Sequence, residues 1–277
     1  MSASEWVRTV LLAAWLVCGC LAAEEVNGQR ADWPSWRGDG SRASPIALAP
    51  ALAPVWMREI GGRIRPSIAA GGKVFVASVD AHQVHALNAA TGAPVWSRIA
   101  GGRVDSPPTY YRGRVFFGCR DGWVYCLRAS DGVRCWRFLA ARRDERIGAF
   151  DQIESVWPVH GSVLVQDGVV YCAAGRSSFL DGGIRLYALA PQDGRVLHET
   201  RLADAEQSQS AAFNMPTGAL SDVFVGDGRC VYMGRHSFDA AFQSRMARAH
   251  GNAAADKKGV ADVDLHLMST SGFLDDT

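Results

Sequence analysis

The chain has 277 residues, of which 48% are hydrophobic and nine are tryptophan. Its 29 basic and 28 acidic side chains leave a formal net charge of +1. No basic stripe interleaved with aromatic residues runs along the sequence, so the electrostatic pattern of a nucleic-acid-binding protein is excluded.

The N-terminus has the pattern of a secretory leader. Arg8 precedes an apolar run over residues 10–17, and small residues follow as far as Ala22 and Ala23. The run is too short to span a bilayer, and no later segment is long and apolar enough to do so. The sequence therefore predicts a signal peptide over residues 1–23 and export to the periplasm or the cell exterior, with membrane anchoring as a variant.

Cysteine usage leaves two questions open. Residues 17–20 loosely resemble a lipoprotein box, which gives a lipid anchor at Cys20 as an alternative to simple cleavage. Removal of the leader leaves an odd number of cysteines, all in or beside apolar strand sequence. They are Cys119, Cys126, Cys135, Cys172 and Cys230. Buried free thiols are the favoured interpretation, and no disulfide can be paired from the sequence.

A repeat of forty residues dominates the middle of the chain. Residues 84–96 and 124–136 carry nearly the same text, and Val55–Trp56 repeats its closing pair one period earlier. A glycine turn that leads into a β-branched or aromatic run also recurs, at Gly72, Gly113, Gly168 and Gly228. This period and composition predict an all-β fold, a β-propeller with about four blades of four antiparallel strands each.

Each well-preserved repeat ends with a glycine turn followed by a tryptophan. These pairs are Gly92 with Trp96 and Gly132 with Trp136. Glycine accepts the positive φ that a tight hairpin requires. The tryptophans recur at the repeat period, so we expect them to be structural wedges between blades.

The third repeat is longer than the others. Gly194 follows Gly132 by 62 residues rather than 40, and the excess lies around residues 140–160. The run 142–146 carries both charge signs, which favours a solvated insertion loop. This repeat ends in Val196–Leu197 without a tryptophan.

Polar residues interrupt the strand pattern of the third repeat. His160, Arg176 and Asp181 are the candidates for contact with a ligand or partner on the channel side of a blade. The alternative is purely structural: Asp181 caps a turn and Arg176 pairs with it.

The C-terminal part has weaker signals. Residues 239–250 form the single stretch with helical character. Asp262, Asp264 and His266 alternate along a predicted strand, so their side chains share one face and are weak candidates for a divalent cation. A solvent-exposed strand face is the favoured interpretation.

The predicted organisation has three parts. A signal peptide over residues 1–23 is followed by an extension over 24–54 and by the propeller over 55–277. The first closing strand lacks its blade, and the chain stops in the fourth unit. We therefore expect an incomplete ring and a fragment of a larger propeller.

The repeat ends resemble a known motif. Residues 86–96 and 126–136 are similar to the tryptophan-docking motif of the pyrroloquinoline-quinone-like (PQQ-like) β-propeller family, with Asn88 and Arg128 where aspartate is usual. Residues 32–39 resemble the opening of secreted propellers of planctomycete-type bacteria. The resemblance implies that each tryptophan packs against the neighbouring blade.

The family contains catalytic and non-catalytic members. A quinone dehydrogenase needs a cation that polarises the quinone and a carboxylate base, and some members add a vicinal cysteine pair. No residue here matches those motifs, so no catalytic or cofactor-binding residue is assigned. We expect a non-catalytic scaffold that has no cofactor. We expect this scaffold to bind an unknown protein or envelope component. The alternatives are a dehydrogenase with PQQ and calcium, and a propeller lipoprotein of the outer-membrane assembly type.

Overall fold

The computed structural model describes residues 32–36, 53–149, 151–161, 163–203, 219–234 and 236–243. These residues form strands, turns and loops, and no helix is present among them. The strands are β1 (Ile68–Ala70), β2 (Lys73–Ser78), β3 (Gln83–Asn88), β4 (Pro94–Ile99), β5 (Thr109–Tyr111), β6 (Arg114–Gly118), β7 (Trp123–Arg128), β8 (Arg134–Leu139), β9 (Arg146–Ala149), β10 (Gln152–Ser155), β11 (Leu164–Gln166), β12 (Val169–Ala174), β13 (Ile184–Leu189), β14 (Val196–Leu202), β15 (Phe224–Gly226), β16 (Val231–Met233) and β17 (His236–Phe238).

The strands form successive antiparallel sheets in chain order. Blade one contains β1–β4, blade two β5–β8 and blade three β11–β14, each as a four-stranded meander. Strands β15–β17 form a three-stranded fourth sheet. The first strands of successive sheets are neighbours: β1 contacts β5, β5 contacts β11, and β11 contacts β15. The predicted all-β propeller of four-stranded antiparallel blades is confirmed, and no ring closes among the described strands.

Apolar cores lie between successive blades. The second strand of blade one, β2, has five consecutive buried residues, because both of its faces pack against protein. Phe75 of blade one packs with Val115 and Phe117 of blade two in one such core. Equivalent cores join blade two to blade three and blade three to the fourth sheet. Continuous apolar runs in the sequence, rather than alternating ones, follow from this two-sided burial.

The same irregularity recurs in the outer hairpin of each complete blade. The register between the third and fourth strands shifts after Ala86, Cys126 and Ala188. A β-bulge of this kind inserts one extra residue into the outer strand and increases the local twist.

Trp96 joins blade one to blade two. Its indole ring lies against the Gly132 turn, where a Cβ atom would come within 2.7 Å of Trp96 Cδ2. The indole N–H donates a hydrogen bond of 3.0 Å to the carbonyl of Ala129. Arg98 supports the same turn, since its Nε donates to the carbonyl of Gly132 at 2.9 Å. The predicted wedge is therefore a tryptophan docked on a side-chain-free turn.

Two further tryptophans repeat this contact. Trp56 lies against the Gly92 turn of blade one, and Trp136 lies against the Gly194 turn of blade three. In both cases the indole N–H donates to the carbonyl three residues before the glycine, at 2.9 and 3.0 Å. Three consecutive blades are thus approached by one tryptophan each.

The structure departs from the sequence expectation in two segments. Val55–Trp56 forms no strand, because no neighbouring strand in the described part of the chain pairs with it, although Trp56 still docks. The insertion around residues 140–160 contains the hairpin β9–β10 and is more than a solvated loop.

The C-terminal expectations fall largely outside the described residues. Residues 239–243 form a turn rather than a helix, and residues 244–250 are not described. Asp262, Asp264 and His266 also lie outside the described residues.

A short N-terminal segment packs on the innermost strands. Trp33 and Ala69 of β1 form an antiparallel bridge, and the amide of Tyr110 in β5 donates to the carbonyl of Pro34 at 2.7 Å. The segment therefore bridges the first strands of blades one and two. In the described part of the chain, no helix has the length and apolar character needed to cross a membrane.

Tryptophan docking can be tested with two glycines of similar conformation. Gly132 and Gly113 have φ values of 70° and 76°, so Gly→Ala at either position introduces left-handed strain of about 1–2 kcal/mol. A Cβ atom at position 113 meets nothing within 4 Å, whereas one at position 132 overlaps the Trp96 ring. Gly132→Ala should therefore lower the free energy of unfolding by about 1–3 kcal/mol more than Gly113→Ala. Equal losses in urea unfolding followed by circular dichroism would show that the contact contributes little.

Candidate functional site

The loops and blade-to-blade connections that carry polar residues lie at one end of the blades. In a meander blade, the loop between the second and third strands lies at the same end as the connection to the next blade. Residues 79–82, 119–122 and 175–183 are these inner loops, and residues 100–108 and 140–163 are the connections. We call this end of the blades the loop face.

The insertion hairpin β9–β10 lies across the loop face of three blades. His82 Nε2 of blade one lies 2.8 Å from Gln152 Oε1 near the hairpin tip. Glu154 of the hairpin pairs with Arg120 of blade two at 2.9 Å and with Arg176 of blade three. The hairpin backbone is attached as well, because the amide of its last residue donates to the Arg120 carbonyl at 2.7 Å.

A chain of ion pairs runs beneath the hairpin. Arg103 Nη2 lies 3.1 Å from Asp105 Oδ1, and the Asp105 carboxylate also forms an ion pair with Arg120. Glu154 then joins Arg120 to Arg176. The Glu154 side chain is 1% exposed, and Arg176 is the most accessible of the five at 20%. Three guanidinium groups and two carboxylates give the cluster a formal charge of +1.

His160 lies in the field of this cluster. Burial lowers the pKa of its imidazole to about 3, and the positive charge of Arg120 is the next cause. Arg176 and Arg103 act in the same direction, whereas Asp105 opposes them. The imidazole is therefore neutral near neutral pH, and its ring nitrogens can donate or accept without adding charge.

Two of the three predicted contact residues come together and one does not. Arg176 belongs to the ion-pair cluster, and its charge helps to lower the pKa of His160. Asp181 is exposed and lies in a turn with a φ of 53°, and its backbone carbonyl accepts a 2.8 Å hydrogen bond from the Trp157 indole. The pairing of Arg176 with Asp181 does not occur, because Glu154 is the carboxylate that the hairpin brings to Arg176.

The sequence pattern does not identify most of the cluster as candidate site residues. The residues it leaves out are Arg103, Asp105, Arg120 and Glu154. A signal was present, because Arg120 and Arg176 each stand two residues after the second strand of their blade. Their common repeat position predicts a common location at the loop face, but it does not identify their carboxylate partners.

Exposed apolar side chains border the cluster. Phe179 and Leu180 are 37% and 54% exposed. They lie in the 175–183 loop, which also contains Asp181. Ile153 of the hairpin is 67% exposed. Leu220 is 65% exposed, and it forms a backbone bridge with Ser177 of the same loop. The loop face thus combines a buried cationic cluster with apolar projections.

The described residues contain neither a metal-ligand cluster nor a disulfide. No three histidine, cysteine or acidic side chains come together there as a metal site. No disulfide is formed by the five cysteines of the predicted mature chain, four of which are buried. Cys135 is exposed, so the expectation that all five thiols are buried is wrong for this residue.

The repeats and the docked tryptophans define a β-propeller of the PQQ-like repeat type. A family model described as "Outer membrane protein assembly factor BamB" matches residues 36–262. The chain therefore belongs to this family. No curated protein matches the chain by sequence.

Among solved structures, one with a TM-score above 0.5 supports the fold, and two further ones are similar at lower scores. A europium-containing methanol dehydrogenase is 16% identical with a TM-score of 0.51, and the match covers 63% of this chain and 32% of that one. BamB from Moraxella catarrhalis is 18% identical with a TM-score of 0.34, over 65% of this chain and 58% of that one. A quinohemoprotein alcohol dehydrogenase from Comamonas testosteroni is 16% identical with a TM-score of 0.44, over 69% and 30%. This chain therefore spans less than two thirds of the length of each of these proteins.

The lowered pKa of His160, a partly exposed residue, should make stability depend on pH. Its pKa is about 3 in the folded chain and about 6.5 when unfolded, so the unfolded chain takes up a proton that the folded chain excludes. The free energy of unfolding should therefore fall as the pH drops below about 6.5, by up to about 1.4 kcal/mol per pH unit.

His160→Gln should remove this part of the pH dependence, whereas His198→Gln, at an exposed position of β14, should retain it. Denaturant unfolding between about pH 7 and pH 5 measures both slopes. Identical slopes for wild type and His160→Gln would contradict the assignment.

Proposed function

We propose that this chain is a non-catalytic propeller of the PQQ-like repeat family that binds a protein partner or an envelope component with its loop face. One observation carries the proposal. The insertion hairpin lies across three blades, and its Glu154 engages the two arginines that stand at equivalent repeat positions. The loop face is therefore organised by its own side chains.

The same arrangement argues against a quinone on this face. A quinone dehydrogenase requires a flat pocket, a free cation near the quinone oxygens and a carboxylate base. Here Arg103, Arg120 and Arg176 are paired with Asp105 and Glu154, and no cluster of acidic side chains suited to calcium forms in the described ranges. This pairing of the arginines supports a non-catalytic role for the loop face.

The surface chemistry of the loop face supports contact with another macromolecule. Interface centres are rich in aromatic residues and arginine and poor in other charged residues. Phe179, Leu180 and Ile153 supply exposed apolar area, and Arg176 is the accessible end of the ion-pair cluster. The surplus positive charge of the cluster suits a partner that presents an acidic group beside apolar residues.

Export belongs to the same proposal. The expected leader over residues 1–23 would deliver the chain to the envelope, with cleavage near Ala22 or Ala23 and a lipid on Cys20 as the anchored variant. N-terminal sequencing of the mature protein from a Gram-negative host should begin near Glu24. An intact Met1 in the cytoplasmic fraction would contradict export.

The cofactor test is a titration of the full-length gene product with PQQ and calcium, followed by a dye-reduction assay. We expect neither stoichiometric PQQ binding in the presence of calcium nor dye reduction with alcohols or sugars. Glu154→Ala serves as a comparison, because it removes the carboxylate that occupies Arg120 and Arg176. Stoichiometric binding with turnover by the wild-type protein would overturn the proposal in favour of a dehydrogenase.

The partner test uses positions at opposite ends of blades. A photo-crosslinking residue at Phe179, which is on the loop face, should capture a discrete envelope component. The same residue at Val133, which is 45% exposed in an outer turn at the other end of blade two, should not. Leu180→Asp or Arg176→Ala should weaken the capture through Phe179. Equal capture from both positions would show that the loop face is not selective.

A further inference from the structure

The β7–β8 hairpin of blade two places two cysteines opposite each other. Cys126 of β7 pairs with Trp136 of β8, and the register then shifts so that Leu127 pairs with Arg134. Cys135 is the extra residue of this bulge. In a bulge, two residues of one strand oppose a single residue of the other, so Cys135 and Trp136 together face Cys126.

The spacing of such positions suits a disulfide. Opposed residues on antiparallel strands have Cα atoms about 4.5–5.5 Å apart. A disulfide spans Cα separations of about 4.4–6.8 Å. Cys126 is paired with the chain neighbour of Cys135, so the register of blade two brings the two cysteines into the neighbourhood that a disulfide requires.

The two thiols also influence each other electrostatically. Burial raises the pKa of the Cys126 thiol to about 12, and the neighbouring Cys135 thiol is the second cause of the rise. The pairing register places the same two residues beside each other at the bulge. Cys135 is exposed whereas Cys126 is buried, so a reagent in solvent reaches Cys135 first.

The pairing is specific to blade two. The equivalent positions are Ala86 and Val95 in blade one and Ala188 and Leu197 in blade three. The repeat therefore needs no thiol at either position to form its bulge. Of the three complete blades, only blade two has cysteine both at the inserted residue of the bulge and at the residue that faces the bulge.

We propose that Cys126 and Cys135 form a disulfide when the protein meets a disulfide oxidant. The thiolate of Cys135 attacks the oxidant, displaces one of its sulfurs as a thiolate and forms a mixed disulfide. The thiolate of Cys126 then attacks Cys135 Sγ and displaces the second sulfur. The protein loses two electrons and two protons, and the oxidant is reduced to two thiols.

The bond would reinforce the contact between blades two and three. Trp136 directly follows Cys135, and its indole docks on the Gly194 turn. A covalent link at the bulge fixes the outer strand at the residue before the docked ring. Because the link also restricts the unfolded chain, the oxidised protein should be more stable than the reduced one.

Peptide mapping tests the bond directly. The purified full chain is treated with oxidised glutathione, and its free thiols are then alkylated under denaturing conditions. Trypsin cuts after Arg128 and Arg134, so the bond should join peptide 121–128 to peptide 135–137. Oxidation should also raise the thermal midpoint by on the order of 5 °C, and a dithiol reductant should reverse the shift.

The other blades supply the control substitutions. Cys126→Ala and Cys135→Val introduce the residues that blade one carries at the same positions. Both variants should lose the linked peptides and the redox-dependent shift, whereas Cys230→Ser should retain both. A stable glutathione adduct on Cys135 without linked peptides would overturn the proposal. So would a linkage of Cys126 to another cysteine; both results come from the wild-type protein and do not depend on folding of the variants.

Discussion

The contact between a tryptophan of one blade and the glycine turn of the next is the constraint on which the rest of the structure depends. Trp96 reaches the Gly132 turn because the glycine has no Cβ and a φ of 70°, which other residues rarely adopt. The indole then buries its ring and satisfies its N–H on a backbone carbonyl. Repetition of this contact sets each blade beside the next in the same orientation. The equivalent loops of successive blades therefore reach one common face.

The loop face owes its character to charges that are buried in pairs. Removing guanidinium and carboxylate groups from water is costly, and the ion pairs offset that cost without adding much net stability. They do add specificity, because Glu154 can satisfy Arg120 and Arg176 in a single hairpin position. The neutral imidazole of His160 beside the cluster reflects the same field.

The repeats could be read from the sequence because their signals are local. A glycine turn, an apolar run and a closing tryptophan recur at a fixed spacing, and each has one structural meaning. The hairpin β9–β10 has no counterpart in the other blades, and Glu154 lies 34 residues from Arg120, so no periodic signal links them. The exposure of Cys135 follows from the bulge, which interrupts the alternation of buried and exposed positions. Val55–Trp56 resembled a strand, but a strand requires a neighbour to pair with.

Blade three carries His198 where the first two blades carry their docking tryptophan. Within the described residues, its junction with the fourth sheet has no docked indole and combines apolar packing, in which Tyr171 and Phe224 meet Phe242, with hydrogen bonds such as that from the Ser178 amide to the Ala219 carbonyl. In a linear array, cooperativity passes only between nearest neighbours, so it is limited by the weakest junction. If the missing indole makes this junction the weakest, the fourth sheet opens as a separate foldon while the first three blades stay folded. Amide hydrogens of β16 would exchange by this sub-global route, whereas those of β6 would require a larger opening.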